Sequence, residues 1–171
     1  MAELTPKERL QPSLLDRLTD EEPDRQEESR DKRVLSMSRL RECVLRDLGW
    51  LLNATRMADD RLDARYPFAA RSVINYGLPA LAGGTARSLE INDLEQSLRQ
   101  AIIDFEPRLL RHSLRVRAEL TEERMSHNAL TFEIEGSLWA QPLPLQLYLK
   151  TEIDLESGQV QIEESSQPRG R

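Results

Sequence analysis

Glu106 and Arg108 flank Pro107, and this carboxylate and guanidinium, two positions apart, are the side chains best placed to do chemistry. One such chemistry is glycoside hydrolysis, which needs two carboxyl groups at a set separation, one of them keeping its proton in an apolar pocket. Phe105 gives Glu106 an apolar neighbour, but a guanidinium two residues away favours the ionised form over the acid. No second carboxylate is singled out among the 30 Asp and Glu residues. The same tripeptide can also form a turn closed by an ion pair, worth roughly 0–1 kcal/mol when exposed. As a docking device, Pro107 would fix the turn, Arg108 would offer a planar donor fork, and Glu106 would accept donors from a partner.

Other catalytic patterns are not found in the sequence. His112 and His127 are the only histidines, and without HExxH or paired cysteines they do not suggest zinc. Cys43 is the single cysteine. It lies in no nucleophile motif, and between Leu40 and Val44 on a helical pattern it reads as a buried or half-buried thiol. Ser72 lacks the GxSxG elbow and is better placed as a helix cap. Gly83-Gly84 lacks the GxxxxGK[ST] pattern of a phosphate loop. No catalytic residue, metal or cofactor is expected.

The elements around the tripeptide follow from periodicity. Met37, Leu40, Val44, Leu48 and Leu51 recur at three-four spacing and predict a helix over 38–53, with Arg39, Arg41, Glu42, Arg46 and Asp47 on its wetter side. Residues 54–67 carry no period and read as a surface connection with a short turn at 58–62. Ser72 should cap a short helix over 73–76 that ends at Gly77 in a left-handed cap, with Pro79 forbidding continuation. A second long helix should begin near Ser88 or Asn92, where Asn92 and Glu95 have capping-box spacing, and run on Ile91, Leu94, Leu98, Ile102 and Phe105. Pro107 should stop it at Phe105 and leave Glu106 extended at a helix C-terminus, where an anion needs a nearby cation.

Beyond Pro107 the period changes to two. Leu114, Val116, Ala118 and Leu120 alternate with charged residues, as do Leu130, Phe132, Ile134 and Leu138, then Leu145, Leu147, Leu149, Ile153 and Leu155, with a short strand over 160–162 after a turn at 156–159. One dry face and one wet face indicate an antiparallel sheet of about four strands. Residues 121–128 read as a loop, and Gly136 as a bulge or a close backbone approach. The fold class is therefore α+β, helices first and sheet last.

Composition sets the outer limits. The 171 residues suit one domain, 34–164, with a real core. A net charge of −6 argues against nucleic-acid binding driven by charge. The start MAELTPKERL is charged with no apolar stretch behind it, so no signal peptide is expected. The longest uncharged run, 72–86, contains Pro79 and three glycines and does not read as a membrane span. Residues 1–33 hold ten acidic and seven basic side chains against seven apolar ones, too little apolar surface to offset chain entropy, so a mostly mobile arm is expected. Within it Ser13 can cap a short helix whose Leu14, Leu15 and Leu18 share a face and need something to dock on, either the chain's own domain or, as the expected partner-binding anchor, another subunit. Residues 165–171 should be a disordered tail.

Four stretches in order carry a family resemblance: SLLDRL at 13–18, RDLGWLLNATR at 46–56, SVINYGLP at 72–79 and FEPRL at 105–109. The last resembles the EPR signature of the baseplate wedge family of contractile tails, and the set resembles its type VI secretion branch, TssE, whose members have often carried a lysozyme-like label. The resemblance implies a cytoplasmic, non-enzymatic adaptor at the membrane-docked baseplate. Its sheet would resemble the sheath domain that knits subunits together by shared strands. It implies docking through Glu106, Pro107 and Arg108 onto a wedge core of TssF and TssG, with TssK and the sheath subunits TssB and TssC as further partners, and neither nucleic acid nor membrane insertion. Alanine at Glu106 or Arg108 would then weaken assembly and leave the isolated fold intact. The readings to set beside this are a lysozyme-like glycoside hydrolase acting on peptidoglycan, which the same resemblance suggests, and a general regulatory binding module.

Overall fold

The computed structural model describes residues 13–19, 24, 36–57, 65–81, 91–119, 129–140 and 144–165. Most of the expected arm, the tail after Ser165, the turn at 58–62 and the loop at 121–128 lie outside them.

Helix α1 is Leu14–Leu18, and α2 is Met37–Asn53. The Ser36 hydroxyl caps α2 by accepting from the Arg39 N–H at 3.1 Å, and Leu40, Cys43, Val44, Leu48, Leu51 and Leu52 form its buried stripe. A short helix α3, Pro67–Ala70, leads into a 3-10 turn over Val73–Asn75, where Ser72 accepts from the Ile74 N–H at 3.4 Å. The turn is tighter and one residue shorter than the helix expected there. Gly77 follows with a φ of 118°, and a Cβ on it would collide with the Ala54 carbonyl. That approach lets the Leu78 N–H donate to the Ala54 carbonyl at 2.8 Å and the Arg56 N–H to the Leu78 carbonyl at 2.8 Å, tying the segment to the end of α2.

Helix α4 is Ile91–Phe105 and buries Leu94, Leu98, Ala101 and Ile102. Asn92 lies inside its first turn, so the expected capping box does not form. Its Glu95 turns to the sheet instead, accepting from the Ala118 N–H at 2.6 Å. The helix ends at Phe105, as the following proline requires.

Strands β1 (Arg115–Glu119), β2 (Ala129–Leu138), β3 (Leu145–Asp154) and β4 (Val160–Glu164) form one antiparallel sheet in the order β1-β2-β3-β4. The fold is α+β, helices followed by a four-stranded sheet. Helix α4 packs toward β1 and α2 toward β4, and the two helices touch each other. Between the layers, Leu48, Leu98, Ile102, Phe132, Ile134, Leu149 and Ile153 form the center of a single apolar cluster. The β2 ladder runs unbroken through Gly136, which pairs with Leu147. No bulge is present: the glycine makes room for Leu109, whose Cδ2 would lie 3.0 Å from a Cβ there.

Candidate functional site

Helix α2 delivers Arg46, Asp47 and Trp50, the end of α4 delivers Phe105 and Glu106, and the turn that follows delivers Pro107 and Arg108. The backbone pins this corner to the sheet: the Trp139 N–H donates to the Arg108 carbonyl at 2.7 Å and the Leu110 N–H to the Ser137 carbonyl at 2.9 Å.

Glu106 is only 3% exposed. Its Oε1 accepts from Arg108 Nε at 2.7 Å and from the Arg108 N–H at 3.1 Å, and its Oε2 accepts from Arg108 Nη2 at 2.5 Å. The same Nη2 lies 2.5 Å from Asp47 Oδ2. Asp47 Oδ1 in turn lies 2.8 Å from Arg46 Nη2, which lies 2.8 Å from Asp16 Oδ1 on α1. Five charged side chains from three segments thus form one chain: Asp16, Arg46, Asp47, Arg108, Glu106. Burial opposes the Arg108 charge, but Glu106 and then Asp47 outweigh it and push its pKa further up. Arg46 is raised in the same way, against burial, by Asp47 and Asp16. Burial is also the larger cause raising Tyr76, with the Asp47 and Glu106 charges adding to it.

The tripeptide is therefore not an exposed turn. The ion pair considered for Glu106 and Arg108 forms, but inside the corner, and both Glu106 oxygens are taken within the chain. Pro107 is exposed beside them. Arg108 Nη1 is buried with no hydrogen-bond partner among the described residues.

Helix α1 sits with its polar side inward. The Asp16 side chain is 7% exposed against α2, while Leu14 and Leu18 are 70% and 73% exposed and Leu15 is partly so. The leucines do not anchor α1 on its own domain. Burial raises the Asp16 carboxyl, but the Ser13 hydroxyl, Arg46 and the Cys43 thiol together bring it down to about 2. Cys43 lies beneath, and burial first and Asp16 second push its thiol up.

A groove of about 780 Å³ opens between α1, α2, the 3-10 turn and the corner, lined by Leu14, Leu15, Trp50, Val73 and Tyr76 together with Pro107 and Arg108. Tyr76 packs edge-on against Phe105 with ring centers 5.1 Å apart, and the Arg46 guanidinium lies 5.1 Å from the Trp50 ring center. Sequence reasoning placed Arg46 and Asp47 on the wet side of α2 and did not foresee their link to Arg108. The signal available was an Arg-Asp pair beside the apolar stripe, within one of the four matching stretches.

Among the described residues no His, Cys, Asp and Glu cluster is arranged for a metal ion, and no helix is long and apolar enough to cross a membrane. The described residues thus form an α+β domain with a charged corner beside an apolar groove. The profile of the family described as baseplate wedge protein gp25 matches residues 38–143, from α2 to the segment between β2 and β3. More than half of the chain is covered, and the chain belongs to the baseplate wedge protein gp25 family, a structural family. No significant match is found among curated proteins or among solved structures.

Proposed function

We propose that the chain is the baseplate adaptor of a type VI secretion system, TssE-like in kind, docking a wedge core of TssF and TssG and starting sheath growth on TssB and TssC by strand sharing. In this reading it works in the cytoplasm, at a baseplate that TssK links to the membrane, as one folded unit over 34–164 with an arm before it. The observation that carries the docking half is the groove at the corner. Val73, 83% exposed, Leu14 and Trp50 line an apolar surface to which Pro107 and Arg108 also contribute. An apolar segment of a partner fits such a surface. Within this reading Glu106 and Arg108 act by holding the corner's shape, Pro107, Leu14 and Leu15 touch the partner, and Leu18 offers a further anchor.

The hydrolase reading is disfavoured by the same geometry. A general acid must reach the leaving oxygen, whereas both oxygens of Glu106 are bound to Arg108. The test is co-purification with TssF and TssG. Val73→Asp and Leu14→Asp, both at exposed positions, should fold normally and lose wedge recovery at least tenfold. Unchanged recovery with both would refute the docking surface.

A further inference from the structure

The two outer edges of the sheet are not equivalent. In an antiparallel ladder alternate residues turn their N–H and C=O groups to one neighbour and then to the other. On β1 the outward residues include Leu114, Val116 and Ala118, because the Ala118 N–H is taken by Glu95 Oε1 of α4 at 2.6 Å. One helical turn along, Arg99 Nε donates to the Leu114 carbonyl at 3.3 Å. Two side chains of α4 therefore occupy the path an added strand would follow, leaving only Val116 between them.

On β4 the Ser165 N–H donates to the Tyr148 carbonyl at 2.9 Å, so odd-numbered residues face β3 and Val160, Ile162 and Glu164 face outward. Val160 is closed from both sides: its N–H donates to Asn53 Oδ1 and its carbonyl accepts from Asn53 Nδ2, each at 2.9 Å. Asn53, the last residue of α2, thus stands in for one residue of a neighbouring strand. Beyond Glu164, Arg41 lies 3.0 Å from the Glu164 carboxylate and donates to the Gln146 carbonyl at 3.2 Å. Between these two α2 side chains, the main-chain groups of Ile162 and Glu164 have no partner among the described residues.

We propose that β4, at Ile162 and Glu164, is the edge that receives an extended segment of a neighbouring chain, and that β1 is closed to strand addition by Glu95 and Arg99. Native sheets block edges they do not use, and here the two α4 side chains leave β1 a single open outward residue, Val116, whereas β4 keeps two successive ones, Ile162 and Glu164. Asn53 fixes where the incoming strand must begin, so register is determined by α2 and not by the partner's side chains. Room for about three residues fits a short strand held by main-chain bonds, with little demand on partner sequence.

The inference rests on the strand-sharing half of the proposed function, and the experiment separates the two. Full-length chain is immobilised and offered the purified TssB–TssC heterodimer, comparing wild type, Glu164→Pro and Val116→Pro. Proline at either outward position removes an outward N–H while sparing the ladder bonds to the adjacent strand, and circular dichroism and thermal melting verify folding. Capture lowered at least tenfold by Glu164→Pro and unaltered by Val116→Pro supports the assignment. The reverse pattern overturns it while strand sharing stands. Capture insensitive to both, or no capture by wild type, overturns both. Amide exchange gives a readout free of substitutions: Ile162 and Glu164 should exchange fast in the free chain and become protected on capture, whereas protection at Val116 alone would contradict the proposal.

Discussion

Arg108 is the residue on which the corner depends, because its single guanidinium answers two carboxylates. Removing it leaves Glu106 buried without its cation and Asp47 with Arg46 alone. Arg108→Ala should cost about 2–3 kcal/mol of unfolding free energy, somewhat below a fully buried pair because Arg108 and Asp47 keep some solvent contact. Arg108→Lys should recover less than half of that, since a single ammonium cannot reproduce the fork. Urea denaturation checks both, and an Arg108→Ala chain as stable as wild type would show the network to be energetically idle. A loss of that size lowers stability but is compatible with the sequence expectation that alanine here leaves the isolated fold intact. Asp16 supplies a pH test. Its carboxyl is lowered from 3.8 to about 2 by folding, so its contribution, roughly 1–2 kcal/mol after allowing for its position near the surface, is complete above about pH 4 and lost as pH falls toward 2. The stability gap between wild type and Asp16→Asn should follow that window, and a gap constant down to pH 2 would contradict the ion pair.

At the scale of elements, α1 is the part whose mode of attachment the sequence left open. Three leucines on one face read as the docking side, because apolar area normally dominates burial. Here the helix is held by Asp16 on Arg46 and leaves the leucines outside, an arrangement no pattern of spacing within 13–18 could show. Cys43, the chain's only thiol, lies buried beneath and reports on it. Asp16→Asn or Arg46→Ala should accelerate labelling of Cys43 by an aromatic disulfide at least tenfold near neutrality, and an unaltered rate would mean that α1 is retained by something other than this pair. Gly77 makes a second element-scale test. Gly77→Ala meets both a positive φ and the Ala54 carbonyl, and should lower stability by about 1–3 kcal/mol in thermal or urea unfolding.

For the molecule as a whole, the long elements were readable from their periods because exposure alternates every second residue on a one-sided sheet and every three to four on a half-buried helix. Helix α2, helix α4 and four strands all occur where those periods place them. The pairing of Asp47 with Arg108, 61 residues apart, was not readable, since a period tells which face is dry and not which distant residue meets it. Nor could it tell which sheet edge the helices would close. Both follow only from how α2 and α4 lie across the sheet. The account stands or falls on whether the apolar corner groove is occupied by another baseplate component. Photocrosslinking answers this most directly, with a benzophenone amino acid at Val73 and, in a separate chain, at Glu133 on the outer sheet face, each assembled with TssF and TssG. The account predicts crosslinks to TssF or TssG from Val73 and none from Glu133; crosslinks from Glu133 with none from Val73 would contradict it.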